Sequence, residues 1–322
     1  GTTLDACAKS SPKAATAAGG TSGAPAKPIT LGFSQVGSEA GWRTANTQSV
    51  QDAAAKDGIE LKFSDAQQKQ ENQIKAIRSY IQQKVDVIAF SPVVETGWDA
   101  VLQEAKRAHI PVILTDRAVD SKDTSLYKTF LGSDFVKEGQ KAGQWLLDNA
   151  STSDVNGDGK INVVEIEGTT GAAPAIDRKK GFEDTIASDS KIKVVASQTG
   201  DFTRDGGKQV MEAFLKSQKG IDVLFAHNDD EGLGAIEAIK AAGLTPGKDI
   251  KIITIDATHD GMTALSQGEI NYIVECNPLL GPQLMDLAKK VVAGKSVPHR
   301  VVTDETAFDQ AQATAALPTR QY

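Results

Sequence analysis

A fold with two consecutive α/β lobes, each a doubly wound parallel sheet, is what this sequence predicts, and three observations lead there. From residue 29 onward, short β-rich runs alternate with helical patterns. The alternation starts again after residue 132. The 322 residues, 40% hydrophobic and 24% charged, suit about two domains, each able to bury a sizeable core.

Residues 1–28 stand apart. "CAKSSPKAATAAGGTSGAPAKP" is Ala, Ser, Thr, Gly, Pro and Lys with almost nothing to pack, the composition of a flexible tether. Just before it, Leu4-Asp5-Ala6-Cys7 is similar to a bacterial lipobox, in which the cysteine is lipidated after signal cleavage. Asp5 departs from that pattern, and an ordinary exposed cysteine is the competing reading. The expectation is an extracytoplasmic protein, in the periplasm or on the cell surface, that meets the membrane only through a lipid on Cys7. The other cysteine, Cys276, lies in the strand-like "INYIVEC", so no disulfide framework is expected.

In the first lobe the strand "PITLGFSQ" leads to a helix over about 40–57 that ends at Gly58. Then come "IELKFSD", a helix over about 70–83, "VDVIAFSP", a helix near 96–108 and "IPVILTD". The second lobe opens with the helix "EGQKAGQWLLDNA" and continues through "INVVEIEG", "PAIDRKKGFEDTIAS", "KVVASQTG", "GGKQVMEAFLKSQ", "IDVLFAHND", "EGLGAIEAIKAAG" and "IKIITID". Strands of this kind between helices of this length make βαβ units. The formal net charge of −7 and the lack of a basic run argue against nucleic acid as a partner. No apolar stretch approaches the roughly 20 residues that span a bilayer.

Open α/β sheets bind ligands beyond the carboxyl ends of their strands. The runs close at Gln35 to Arg43, Ser91-Pro92, Asp116-Arg117, Ser133-Asp134, Gly168 to Gly171, Asp201-Phe202, Asn228-Asp229, Asp256 and Asn277. Carboxylates and amides accept from hydroxyls, arginines donate in forks and aromatic faces stack on C–H surfaces, so this set suits a neutral, polyhydroxylated ligand. Plainer readings stand beside it. Trp42 could cover the first helix, with Glu39 and Arg43 as an exposed i, i+4 pair. Asp116-Arg117 could be a solvated ion pair, Arg178 helix surface, and Asn228, Asp229 and Asp230 helix caps. Gly37 and Gly41 lack the spacing of a dinucleotide turn, and Glu39 would repel a phosphate. His109, His227, His259 and His299 show no metal-ligand spacing, and there is no nucleophile elbow or phosphate loop. No enzyme is expected.

Six longer runs carry a resemblance: "GFSQVGSEAGWR", "DAQQKQENQIKAIRSYI", "SPVVETGWDAVLQEAK", "AIDRKKGFE", "SQTGDFTRDGGKQVMEAF" and "AHNDDEGLGAIEAIKAAGLTPGKDI". They resemble the galactofuranose-binding branch of the type I periplasmic sugar-binding proteins of ABC importers, to which ribose- and glucose/galactose-binding proteins also belong. The resemblance implies two lobes joined by three crossing segments, residues 29–131 plus 278–297 and residues 132–277 plus 298–322. It implies a monomer that closes on a monosaccharide and delivers it to a membrane permease, without turnover. It places Glu39, Trp42, Arg43, Ser91, Asp116 and Arg117 on the first lobe's share of a sugar cleft, and Arg178, Phe202 and Asn228 opposite them. Ser133 falls at the first crossing, and Asp256 and Asn277 at the later ones. A sugar-sensing domain, either the core of a repressor or a receptor-coupled sensor, is the alternative; residues 1–28 cannot form the repressor's DNA-binding helices.

"DVNGDGKINVVE", residues 154–165, fits the calcium-loop formula D-x-[DN]-x-[DN]-G-x₅-E. Glu165 falls inside a strand, where it can point away. The loop is similar to that of the glucose/galactose-binding proteins, whose last carboxylate comes from the start of a later strand. That similarity implies Ca²⁺ held by Asp154, Asn156, Asp158, the Lys160 carbonyl, Asn162 and Asp222. The competing reading is an Asn/Gly/Asp-rich turn without metal.

Overall fold

The computed structural model describes residues 27–322. Most of the expected tether and Cys7 therefore lie outside the described residues. The first lobe runs β1 (Thr30–Gln35), α1 (Gly41–Lys56), β2 (Glu60–Asp65), α2 (Gln70–Gln82), β3 (Val87–Phe90), α3 (Asp99–Arg107), β4 (Val112–Thr115) and β5 (Thr129–Gly132). The second runs α4 (Phe135–Asp148), the short α5 (Ala150–Ser153), β6 (Ile161–Glu167), α6 (Ala173–Ile186), β7 (Ile192–Thr199), α7 (Arg204–Ser217), β8 (Val223–Ala226), α8 (Asp229–Ala241), β9 (Lys251–Asp256), α9 (His259–Ser266) and β10 (Tyr272–Glu275). The chain then returns to the first lobe for α10 (Gly281–Val292) and β11 (Arg300–Val302), and ends in the second with β12 (Ala307–Phe308) and α11 (Gln310–Ala316).

The two sheets repeat one pattern, β11-β5-β4-β3-β1-β2 and β12-β10-β9-β8-β6-β7. All pairings are parallel except β10 with β12. The central strands VIAF, VILT and VLFA are buried at every residue. Helices cover both faces of each sheet, which is why the strands read as unbroken apolar runs rather than alternating ones. The order reverses beside β1 and again beside β6, and both switch points open toward the gap between the lobes.

Residues 133–134, 276–280 and 303–306 cross between the lobes. Two expectations need correction. β11 pairs with β5, so the first lobe extends through Val302 and the last crossing follows it, instead of falling at 297/298. Asp256 ends β9 inside the second lobe and is not at a crossing.

Helices α4 and α6 pack with their backbones close together. A Cβ at Gly139 would stand 2.2 Å from the Arg178 carbonyl oxygen, and one at Gly181 2.1 Å from that of Val136. Neither backbone can yield without moving its helix. Gly139→Ala is expected to destabilise the fold by about 1–3 kcal/mol, the cost of overpacking, with a lowered Tm in thermal denaturation as the check.

Candidate functional site

A cavity of about 320 Å³ lies between the lobes, lined by Glu39, Ala40, Trp42, Arg43, Asp116, Arg117, Phe135, Pro174, Arg178, Phe202, Asn228, Asp256 and Cys276. Contacts across the mouth hold the lobes together: Glu95 N–H donates to the Gly171 carbonyl (2.9 Å), and Gly41 N–H to Asp230 Oδ2 (2.7 Å). Gln68 Nε2 adds a long contact to the Asp201 carbonyl at 3.5 Å.

The turn after β1 and the first turn of α1 bring three side chains to the cavity. Arg43 donates through Nε to Glu39 Oε2 (3.0 Å) and through Nη1 to Asp116 Oδ2 (2.7 Å) and Gln35 Oε1 (3.2 Å). Glu39 and Arg43 thus form the i, i+4 pair that the plainer reading foresees, but its side chains are 4% and 3% exposed. Burial works against the Arg43 charge, yet Asp116 and Glu39 outweigh it and hold the guanidinium above its ordinary range. Trp42 Nε1 donates to the Cys276 carbonyl at 2.6 Å, and its ring packs in the second lobe's core with Phe135 and Val274, so this residue bridges the lobes.

β4 ends at a turn that sequence does not reveal. Asp116 has φ +68, a left-handed value that costs free energy in a residue other than glycine and that recurs at binding sites. It accepts from Arg43 and, at 2.7 Å, from Ser91 Oγ. Arg117 donates to the Val93 carbonyl (3.1 Å) and lies 5.4 Å from the Phe202 ring. Burial, then repulsion from Arg43, lowers its guanidinium to about 10.

From the second lobe, Arg178 on α6 pairs with Glu138 Oε1 (2.9 Å), donates to the His227 carbonyl (2.8 Å) and stacks near Phe135 and Phe202. Phe202, at φ +62, presents its ring beside Gly168, where any Cβ would meet the ring at 2.0 Å. Asn228 does what both readings foresee. Its Oδ1 caps α8 by accepting from Glu231 N–H, and its Nδ2 donates to the Phe202 carbonyl at the cavity wall. His227 lies beneath, held at about 3 by burial and by Arg178, hence neutral. Its Nδ1 accepts from Gly168 N–H, which leaves Nε2 to donate to Glu165.

Three groups facing the cavity keep unused capacity. Glu39 Oε1 and Arg117 Nε are buried without a partner. Asp256 is 4% exposed at φ +148 and, among the described residues, no donor holds its carboxylate; burial, then the charge of Asp229, raises it well above the ordinary range. Two acceptors and a donor set around aromatic rings are a complement for hydroxyl groups on an apolar ring.

Not every expected residue reaches the cavity. Ser91 lies behind Asp116 as its hydrogen-bond donor. Ser133 Oγ and Asn277 N–H both donate to Glu305 Oε2 in the crossing segments, at 2.5 and 2.8 Å. All three act through other residues rather than lining the site. Sequence reasoning missed Phe135, Pro174, Cys276, Glu138 and Glu305. Phe135 follows the strand end at Ser133-Asp134, and Cys276 follows β10 just before Asn277, so both lie within reach of the same rule; the others carry no local signal.

Residues 154–160 form a compact turn before β6. Asp154 accepts from Asp158 N–H and Gly159 N–H (3.2 and 2.7 Å), and Gly159 has φ +83. Asp222 accepts from Val155 N–H and Asn162 N–H (3.1 and 2.8 Å), which draws the later strand's carboxylate to the loop. Burial, then the nearby charges of Asp154 and Asp158, raises Asp222. Glu165 points into the core toward His227 and away from the loop.

Residues 31–296 match the model of the periplasmic binding protein domain. The chain belongs to the periplasmic binding protein family. Among relatives of known role, the galactofuranose-binding protein YtfQ of Escherichia coli is 50% identical over 279 residues, covering 86% of each chain. A solved structure from Mycobacterium smegmatis in complex with β-D-fucofuranose is 68% identical with a TM-score of 0.88, covering 91% of this chain and 95% of that one. The binding protein of the arabinose ABC transporter from Shewanella, bound to α- and β-L-arabinofuranose, is 48% identical with a TM-score of 0.86, over 91% and 96% of the two chains. The fold of this family member is the type I periplasmic binding protein fold, two parallel-dominated sheets with helices on both sides.

Proposed function

We propose that this chain is the extracytoplasmic solute-binding component of an ABC importer, that it binds a monosaccharide in its furanose form between the lobes, and that it performs no chemistry on it. The observation that carries the reading is that Glu39 and Arg117 from the first lobe, with Oε1 and Nε unpartnered, and the Asp256 carboxylate from the second line one cavity between the lobes. The named ligands of the three relatives, galactofuranose, fucofuranose and arabinofuranose, support the ring form. In this reading Trp42, Phe135 and Phe202 pack on the ring's C–H surfaces, Arg43 and Asp116 fix each other's geometry, and Asp256 accepts from a hydroxyl. Closure carries the second lobe onto the sugar and buries it from water, and a permease receives the closed protein. No described helix is long and apolar enough to cross a membrane. Attachment by a lipid on Cys7 and a monomeric state complete the proposal.

A thermal-shift screen against furanose-forming sugars tests it. A sugar present at about a hundred times its Kd should stabilise the folded state by roughly 2.7 kcal/mol, and Trp42 fluorescence should change in the same titration, while Trp42→Phe removes most of that change. If no sugar shifts the midpoint, the cleft serves another ligand class.

We also propose Ca²⁺ in the 154–160 loop, held by Asp154, Asn156, Asp158, the Lys160 carbonyl, Asn162 and Asp222. What supports this is an all-oxygen donor set on a turn already shaped by Gly159, with Asp222 brought to it from a separate strand. Bound there, the ion would tie the loop to the start of β8. Chelator is expected to lower the Tm of the purified protein and added Ca²⁺ to restore it; Asp154→Ala should abolish the difference while sugar affinity stays the same. An unchanged Tm in chelator would refute the site.

A further inference from the structure

We propose that Glu138 and Glu305 form a carboxyl pair sharing one proton, through which the crossing segments hold Arg178 in position for the sugar. This rests on the sugar-binding reading above. Glu305 stands in the third crossing, and its Oε2 accepts from Ser133 Oγ in the first and from Asn277 N–H in the second. One side chain thus ties all three segments on which lobe motion turns. Glu138 Oε1 takes the Arg178 Nε–H, whereas its Oε2 is buried with no partner. A carboxylate oxygen of each glutamate and the Cys276 sulfur lie within 4.8 Å of one another. A proton on Glu305 Oε1, donated to Glu138 Oε2, satisfies every oxygen of the pair and leaves one negative charge for Arg178.

The surroundings favour that state. Burial, then the charge of Glu138 and a hydrogen bond with it, raises Glu305 to about 10. Burial, then the charges of Glu138 and Glu305, raises the Cys276 thiol in the same pocket, with Arg178 opposing, so the sulfur stays neutral. Arg300, which donates to the Ser133 carbonyl at 2.9 Å, and Lys141, whose Nζ reaches the Glu305 carbonyl at 3.3 Å, are the other cations nearby, and Asp134 lies on the Arg300 side. Losing the shared proton sets two carboxylates face to face across the crossing. The third segment is then pushed from α4, and the grip on Arg178 loosens.

Sugar affinity of the wild type should therefore fall as pH rises toward about 10, the value to which Glu305 is raised. Glu305→Gln keeps a donor toward Glu138 and cannot ionise, so its affinity should fall less than that of the wild type over the same range, Arg117 and Asp256 titrating alike in both. Glu138→Gln removes the anion from Arg178 and should weaken binding about tenfold or more at every pH, as loss of a hydrogen bond to a charged group does. A readout independent of sugar is the wild-type minus Glu305→Gln infrared difference spectrum at pH 7, which should contain one protonated-carboxyl band, the contributions of Asp256 and Glu231 cancelling. Parallel pH profiles for wild type and Glu305→Gln, no band in that difference spectrum, or a stoichiometric metal ion in the purified protein that chelation removes together with Arg178 positioning, would each overturn the proposal. Should no sugar bind, the functional reading fails while the infrared band still decides the pair.

Discussion

Asp256→Asn should weaken sugar binding about 10- to 100-fold and at the same time raise the Tm of the ligand-free protein. The carboxylate is buried, faces the cavity and has no protein donor, so in the empty protein it is a cost that only a ligand offsets. Replacing it with an amide of the same shape removes the charge and the cost but offers a hydroxyl a much weaker acceptor. Loss of a charge-assisted hydrogen bond worth roughly 1.5–3 kcal/mol corresponds to about 10- to 100-fold in affinity. The pH dependence carries the same signature. Since burial and Asp229 raise this group, the unfolded chain gives up the proton at a lower pH than the folded chain does. Its contribution to stability is full below the ordinary carboxylate range and is lost as pH rises through the folded value. That decline should be present in wild-type Tm measurements and missing from Asp256→Asn; a variant that is less stable than wild type would show that a protein group holds the carboxylate after all.

Arg43→Ala is expected to cost the fold about 3 kcal/mol or more, the penalty for leaving buried carboxylates without their cation. Glu39 and Asp116 would face each other with Arg117 the nearest cation, at 4.0 and 3.9 Å. Arg43→Lys should rescue little, because one ammonium cannot span Gln35, Glu39 and Asp116 as the guanidinium fork does. Chemical denaturation reads the loss. Full stability in Arg43→Ala would mean that the cluster relaxes at no cost and that its geometry is not fixed by this residue.

The alternation of strands and helices was legible because helices cover both faces of each sheet, which turns a buried parallel strand such as VILT into an uninterrupted apolar run. Short elements left no such trace. β11 and β12, of three and two residues, are too brief for any periodicity and exist only because neighbouring edges are free to pair, so the last crossing was placed several residues early. The strand-end rule located Glu39, Arg43, Asp116, Arg117, Phe202, Asn228 and Asp256 at one cavity. What it could not supply was direction. Ser91, Ser133 and Asn277 close strands or begin crossings as the rule requires, but turn to Asp116 or Glu305. Nor does sequence show that Asp116 and Asp256 take left-handed or still rarer backbone conformations, or that Glu138, three residues into an ordinary amphipathic helix, meets Arg178 from another helix.

The cleft is expected to select a furanose ring. The most direct measurement is a carbon-13 NMR spectrum of labelled L-arabinose, D-fucose or D-galactose bound to the purified protein, in which the anomeric carbon reports the ring form. Furanose resonances, a minor species in the free sugar, are expected to dominate the bound state and to weaken sharply in Asp256→Asn. A bound pyranose, or a bound population that mirrors the free equilibrium, would contradict it.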